Sequence, residues 1–133
     1  MQSQIQDGPA ADCKIEGRFI EAAHTTDLVE YRGRKYSENH VHWVIEIESR
    51  KPSSEGSCPA GRTFELAIRG ADFVFGKGEP GRYVYPVHIT PPRPEDRLAL
   101  FVRKQEVRDP RTSRQYSEWL VTNWSDGYQT IQR

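Results

Sequence analysis

One stretch, His40–Glu48 (HVHWVIEIE), constrains the fold more than any other in this 133-residue chain. Val41, Trp43, Ile45 and Ile47 alternate with His42, Val44, Glu46 and Glu48. A period of two, with β-branched and aromatic residues in one set, is the pattern of a strand burying one face. Thr63–Arg69 repeats it with Phe64, Leu66 and Ile68 on one side. No amphipathic helix longer than two turns can be found.

The remaining segments extend this reading. Residues 1–12 are expected to be a flexible tail and residues 13–133 a single β domain. A first strand spans about Lys14–Ala22. LVEYRGRKY follows, where Arg32-Gly33 can turn a short hairpin or lie in a long loop. RKPSSEGSCPAGR (50–62) is dense in Pro, Ser and Gly and reads as a loop. Gly70–Phe75 fits a turn of helix or a short strand. Arg82–Ile89 reads as a strand, at an edge or bulge because of Pro86. TPPRPEDR reads as an extended loop. A hairpin closes the chain, LALFVRKQEV and QYSEWLVTNW, turning at Asp109-Pro110-Arg111-Thr112 with Pro in its usual type I position. Aromatics at 11% with nine Pro suit folded β structure with long polar loops. The expected fold is all-β and mainly antiparallel, a small barrel or sandwich.

Nineteen basic and nineteen acidic residues cancel, so the whole molecule has no bias toward nucleic acid or membrane. The charge is unevenly spread. Residues 97–114 carry six basic groups against Glu106 and Asp109. No apolar run approaches a membrane span, and the first twelve residues lack a signal-peptide core. The reading is cytoplasmic with free thiols, because two cysteines do not make a disulfide framework; spacing leaves open whether Cys13 and Cys58 pair.

His40, His42 and Glu46 resemble the first metal-binding motif of cupins, with His88 in place of the second motif's histidine. Parity opposes this. The three share the strand face opposite Trp43, whereas a cupin's ligands point into its barrel. Surface histidines are the reading preferred, and no cofactor is expected. No Walker A loop, Rossmann fingerprint, CxxC or nucleophile elbow occurs, so no catalytic constellation is assigned.

The order of segments resembles that of single-stranded-DNA-binding OB-fold proteins. The matching pieces are Gly17-Arg18 in IEGRF, the strand HWVIEIESRK, the loop 50–62, TFELAIRG, Lys77-Gly78 before RYVYPVHI, and the hairpin 98–124. The helix that family places between its third and fourth strands has only GADFVF to form it, and the family's acidic C-terminal tail has no counterpart in YQTIQR. The resemblance implies an OB-like barrel that binds single-stranded nucleic acid without catalysis. Arg103, Lys104, Arg108, Arg111 and Arg114 would contact phosphates. Tyr116, Trp119, Tyr83 and Tyr85, and Trp43 besides, would be available for stacking. The alternative is that these aromatics are core and the charges only solubilise an edge hairpin. A rival function is a protein-interaction module (inhibitor, immunity or assembly factor, or a homo-oligomer), which suits halves of opposite charge. Glu46, Glu48 and Glu65 on the outward face would repel phosphate.

Overall fold

The computed structural model describes residues 11–109 and 113–131. The described chain is all β, with eight strands: β1 Cys13–Tyr31, β2 Arg34–Pro52, β3 Thr63–Ala67, β4 Asp72–Val74, β5 Arg82–Val84, β6 Arg97–Arg108, β7 Gln115–Val121 and β8 Tyr128–Ile131. The main sheet has the order β1-β2-β3-β7-β6-β8, and β6 also pairs with β1. That last pairing closes five strands into a barrel. Every seam is antiparallel except β3 with β7, a parallel contact resting on Leu66 opposite Trp119. β8, unforeseen in the sequence, continues along β6 beyond β7 and pairs with Arg97–Leu100.

Closure needs strands that bend, and two register shifts supply the bend. In the β1–β2 ladder they fall between Glu16 and Gly17 and between Phe19 and Glu21. A bulge adds local twist and moves subsequent side chains to the other face. Phe19 is therefore buried while inward-facing residues resume at Ala22. At the second shift the β5–β6 loop docks on the strand: Phe19 N–H donates to the Asp96 carbonyl (2.9 Å) and Glu95 N–H to the Phe19 carbonyl (3.0 Å).

The interior is formed by the predicted faces. Val41, Trp43 and Ile45 of β2 are buried with Phe64 and Leu66 of β3, Ile68 just beyond it, and Leu98, Leu100 and Val102 of β6. Arg32 and Gly33 have positive φ angles of 54° and 77°. They turn β1 into β2 as a two-residue hairpin, far longer than the two short strands seen in the sequence. Residues 82–89 form a strand only at Arg82–Val84, which pairs with β4 in a separate two-stranded ribbon. At Pro86 the backbone turns, and the Pro86 carbonyl accepts from Ile89 N–H at 3.0 Å.

The free-thiol expectation is overturned. Cys13 and Cys58 form a disulfide, with Cα atoms 5.1 Å apart and a separation of 45 positions in sequence. The fold, rather than the spacing, brings the β2–β3 loop back to the start of β1. Asp12 reinforces this junction: its carbonyl accepts from Ser53 N–H (2.9 Å), and its carboxylate accepts from Lys104 N–H (2.8 Å).

Candidate ligand groove

Strands β3 and β7 meet at a single residue pair, so their outer edges splay. A groove of about 590 Å³ opens there. Its floor comes from Val41 and His42 of β2 and Glu65 and Ala67 of β3. One end is walled by Thr25, Asp27, Asn39 and His40 of the β1–β2 hairpin. The opposite wall is Arg114, Tyr116, Glu118 and Trp119 of the β6–β7 hairpin, and Pro59 and Ala60 of the disulfide-anchored loop complete the rim.

The groove's charges are organised as cross-strand pairs. Arg69 donates through Nε (2.9 Å) and Nη2 (2.6 Å) to Glu118, which braces the parallel seam. Asp27 lies 3.4 Å from the Arg114 guanidinium and 3.3 Å from His40 Nε2. Glu65 lies 3.7 Å from His42 Nε2. The Arg114 guanidinium also sits over the Tyr116 ring, 5.1 Å from its centroid. Burial, and then the Glu118 carboxylate, raise the Tyr116 hydroxyl above its ordinary pKa.

The residues expected to bind nucleic acid separate. Arg114, Tyr116 and Trp119 line the groove. Arg103, Lys104 and Arg108 lie on the adjoining strand, opposite Leu120, Trp119 and Gln115, and do not line it. Arg111 lies outside the described residues. Tyr83 and Tyr85 are half-buried and pack against the core. The Tyr83 hydroxyl is 3.1 Å from His24 Nδ1, while Tyr85 accepts a hydrogen bond from the Trp43 indole at 3.0 Å. Trp43 is fully buried and so has no face to offer a base.

The cupin-like residues are also dispersed. His40 and His42 point out of the barrel, as parity requires, and into the groove. Glu46 is held by Arg18 at 2.7 Å, with Arg62 at 4.0 Å. His88 is exposed on the loop after β5. Among the described residues no three His, Cys, Asp or Glu side chains are placed to hold a metal ion.

Sequence reasoning missed Asp27, Glu65, Arg69 and Glu118 as groove residues. Only the face shared by His40 and His42 signalled them, since their partners come from other strands. Two of the outward carboxylates expected to repel phosphate are met by arginines, Glu46 by Arg18 and Glu48 by Arg97 (3.0 Å), and Glu65 faces the His42 ring.

No protein-family model, curated protein or solved structure matches this chain.

Proposed function

We propose that this barrel binds single-stranded nucleic acid, without catalysis, in the groove across β2, β3 and β7. One observation carries the reading. The groove crosses the outer face of the second and third barrel strands, between two hairpins, and one of these brings Arg114, Tyr116 and Trp119 into its wall. In OB-type barrels that face and the adjoining loops are where extended oligomers lie. A basic side chain beside half-exposed aromatics suits a ligand with a charged backbone and flat bases.

Anisotropy titration of a labelled mixed-sequence single strand tests the reading, with affinity expected to fall steeply as salt rises. Replacing Arg108, Arg111 and Arg114 together by Ala is expected to weaken binding at least tenfold, or about 1.4 kcal/mol. Unchanged affinity in that variant would overturn the reading.

A second reading, recognition of a protein surface, is favoured by the carboxylates that already meet the groove's two guanidinium groups, Glu118 with Arg69 and Asp27 with Arg114. A mixed-sign face suits a mixed-sign partner. Co-purification of one stoichiometric protein, without nucleic acid, would support it. The disulfide favours maturation in an oxidising compartment over the cytoplasm. No helix among the described residues is long and apolar enough to cross a membrane.

A further inference from the structure

We infer that the tip of the β1–β2 hairpin and the adjoining β4–β5 ribbon dock this protein on an anionic lipid surface. The inference goes beyond the groove and does not depend on what the groove binds.

Apolar exposure is confined to two elements. Among the described residues, the exposed large apolar side chains are Leu28 (82%), Tyr31 and Tyr36 of the hairpin, and Phe75 (74%), Val84 and Val87 (100%) of the ribbon and the turn after it. A single exposed hydrophobic side chain needs no explanation. Their concentration at one place marks a contact surface.

The ladder register puts the two elements on one face. Asn39 stands opposite Thr26, and its side-chain amide donates to the Asp72 carboxylate and to the Phe73 carbonyl, both at 3.0 Å. The His24 ring stacks on Phe73 with centroids 4.0 Å apart. The ribbon therefore lies on the face that carries His24 and Thr26. Leu28, two residues beyond Thr26, projects from that same face. Phe75 follows Phe73 with its ring centroid 6.2 Å away.

Charge identifies the partner. The whole chain is neutral, yet residues 28–36 and 75–87 carry Arg32, Arg34, Lys35, Lys77 and Arg82 against Glu30 and Glu79. All seven are exposed. Anionic headgroups attract such a cluster. The apolar side chains stand on narrow turns, so they enter a headgroup layer without needing a surface of matching shape. Leu28 and Phe75 would reach the acyl boundary, while Tyr31 and Tyr36 suit the headgroup level. The Arg32 guanidinium sits over the Tyr31 ring, 5.2 Å from its centroid, which places cation and ring at one depth. A nucleic acid would engage these cations but leave Leu28, Val84 and Val87 in water.

The test is co-sedimentation of the full chain with vesicles of phosphatidylcholine alone and of phosphatidylcholine with added phosphatidylserine. Affinity is expected to be at least about tenfold higher for the phosphatidylserine vesicles and to fall as salt rises. Leu28→Ser/Phe75→Ser should lower it about tenfold, and Arg34→Gln/Lys35→Gln by a similar factor. These positions are exposed, so the fold should persist. No sedimentation with either vesicle, equal sedimentation with both, or affinity unchanged in Leu28→Ser/Phe75→Ser overturns the inference. A dimer that Leu28→Ser/Phe75→Ser dissociates, without vesicle binding, assigns the face to a second copy and overturns it too. So does loss of oligonucleotide affinity, in place of vesicle affinity, in Arg34→Gln/Lys35→Gln. The groove reading is judged separately, by oligonucleotide titration without vesicles.

Discussion

The Trp43 indole N–H donates to the Tyr85 hydroxyl at 3.0 Å, joining the middle of β2 to the loop after β5. Trp43 has no exposed surface. Its ring meets Phe19, Tyr85, Trp124 and Tyr128 at centroid distances of 5.6 to 5.9 Å. Replacing Tyr85 by Phe keeps the ring and removes the acceptor, leaving a buried donor unpaired at a cost of about 1–3 kcal/mol. Trp43→Ala should cost more, about 3–5 kcal/mol, because it also opens a cavity. Urea unfolding monitored by far-ultraviolet circular dichroism would rank the two. A Tyr85→Phe variant as stable as the parent would remove the hydrogen bond from the account.

Alkaline pH should loosen the same cluster. Burial, and then the Asp96 carboxylate, push the Tyr128 hydroxyl up to about 12, and it donates to the Thr90 carbonyl at 3.0 Å. Unfolding returns a phenol to its ordinary value of about 10. Below pH 10 both states hold the proton and the stability is fully present. Between about pH 10 and 12 the unfolded chain loses the proton first, so stability falls as pH rises through that window, by on the order of 2 kcal/mol. Tyr128→Phe has no proton to lose and should show a shallower alkaline decline in melting temperature.

The disulfide should be a main support of the fold. It closes a loop of 45 residues, for which chain entropy gives about 4 kcal/mol. Cys13→Ser/Cys58→Ser, or reduction of the parent, should lower unfolding free energy by about 2–4 kcal/mol. Pro59 and Ala60 follow Cys58 directly into the groove rim, so ligand affinity should fall as well. Thiol titration of the denatured, unreduced protein is expected to find no reactive cysteine; two would refute the bridge.

Much of the barrel was legible because its strands keep a strict period of two. The buried faces of β2 and β3 follow directly from Val41, Trp43, Ile45, Phe64, Leu66 and Ile68. The sequence pattern ends β1 at Ala22 because the polar run His24–Asp27 that follows has no apolar alternation, and its strand character comes from pairing with β2. The Gly17-Arg18 pair now has a physical role: a Cβ on Gly17 would come within 2.4 Å of the Glu46 carbonyl oxygen, while Arg18 bridges Glu46 and Glu95. β8 stayed hidden because four residues beginning at Tyr128 gain their strand character only from β6. The groove was half legible. Arg114, Tyr116 and Trp119 stood out as a local cluster, whereas Arg69 and Glu118 are 49 positions apart and become a pair only when β3 and β7 run side by side.

Trp119 should report ligand binding, alone among the three tryptophans. Trp43 is sealed in the core, and Trp124 packs edge-on against Trp43 and Tyr128. Trp119 packs against Phe64 on one side and lines the groove on the other. A base stacked there would quench its emission and contribute on the order of 1–3 kcal/mol. Trp119→Phe keeps an aromatic ring against Phe64, so the fold should persist. Oligonucleotide-dependent quenching should then disappear, with binding still detectable by anisotropy. Trp124→Phe should retain the quenching. Should the opposite occur, with quenching lost in Trp124→Phe and kept in Trp119→Phe, the ligand lies nearer the aromatic cluster around Trp43 and Tyr128, and the β2–β3–β7 groove is not its seat.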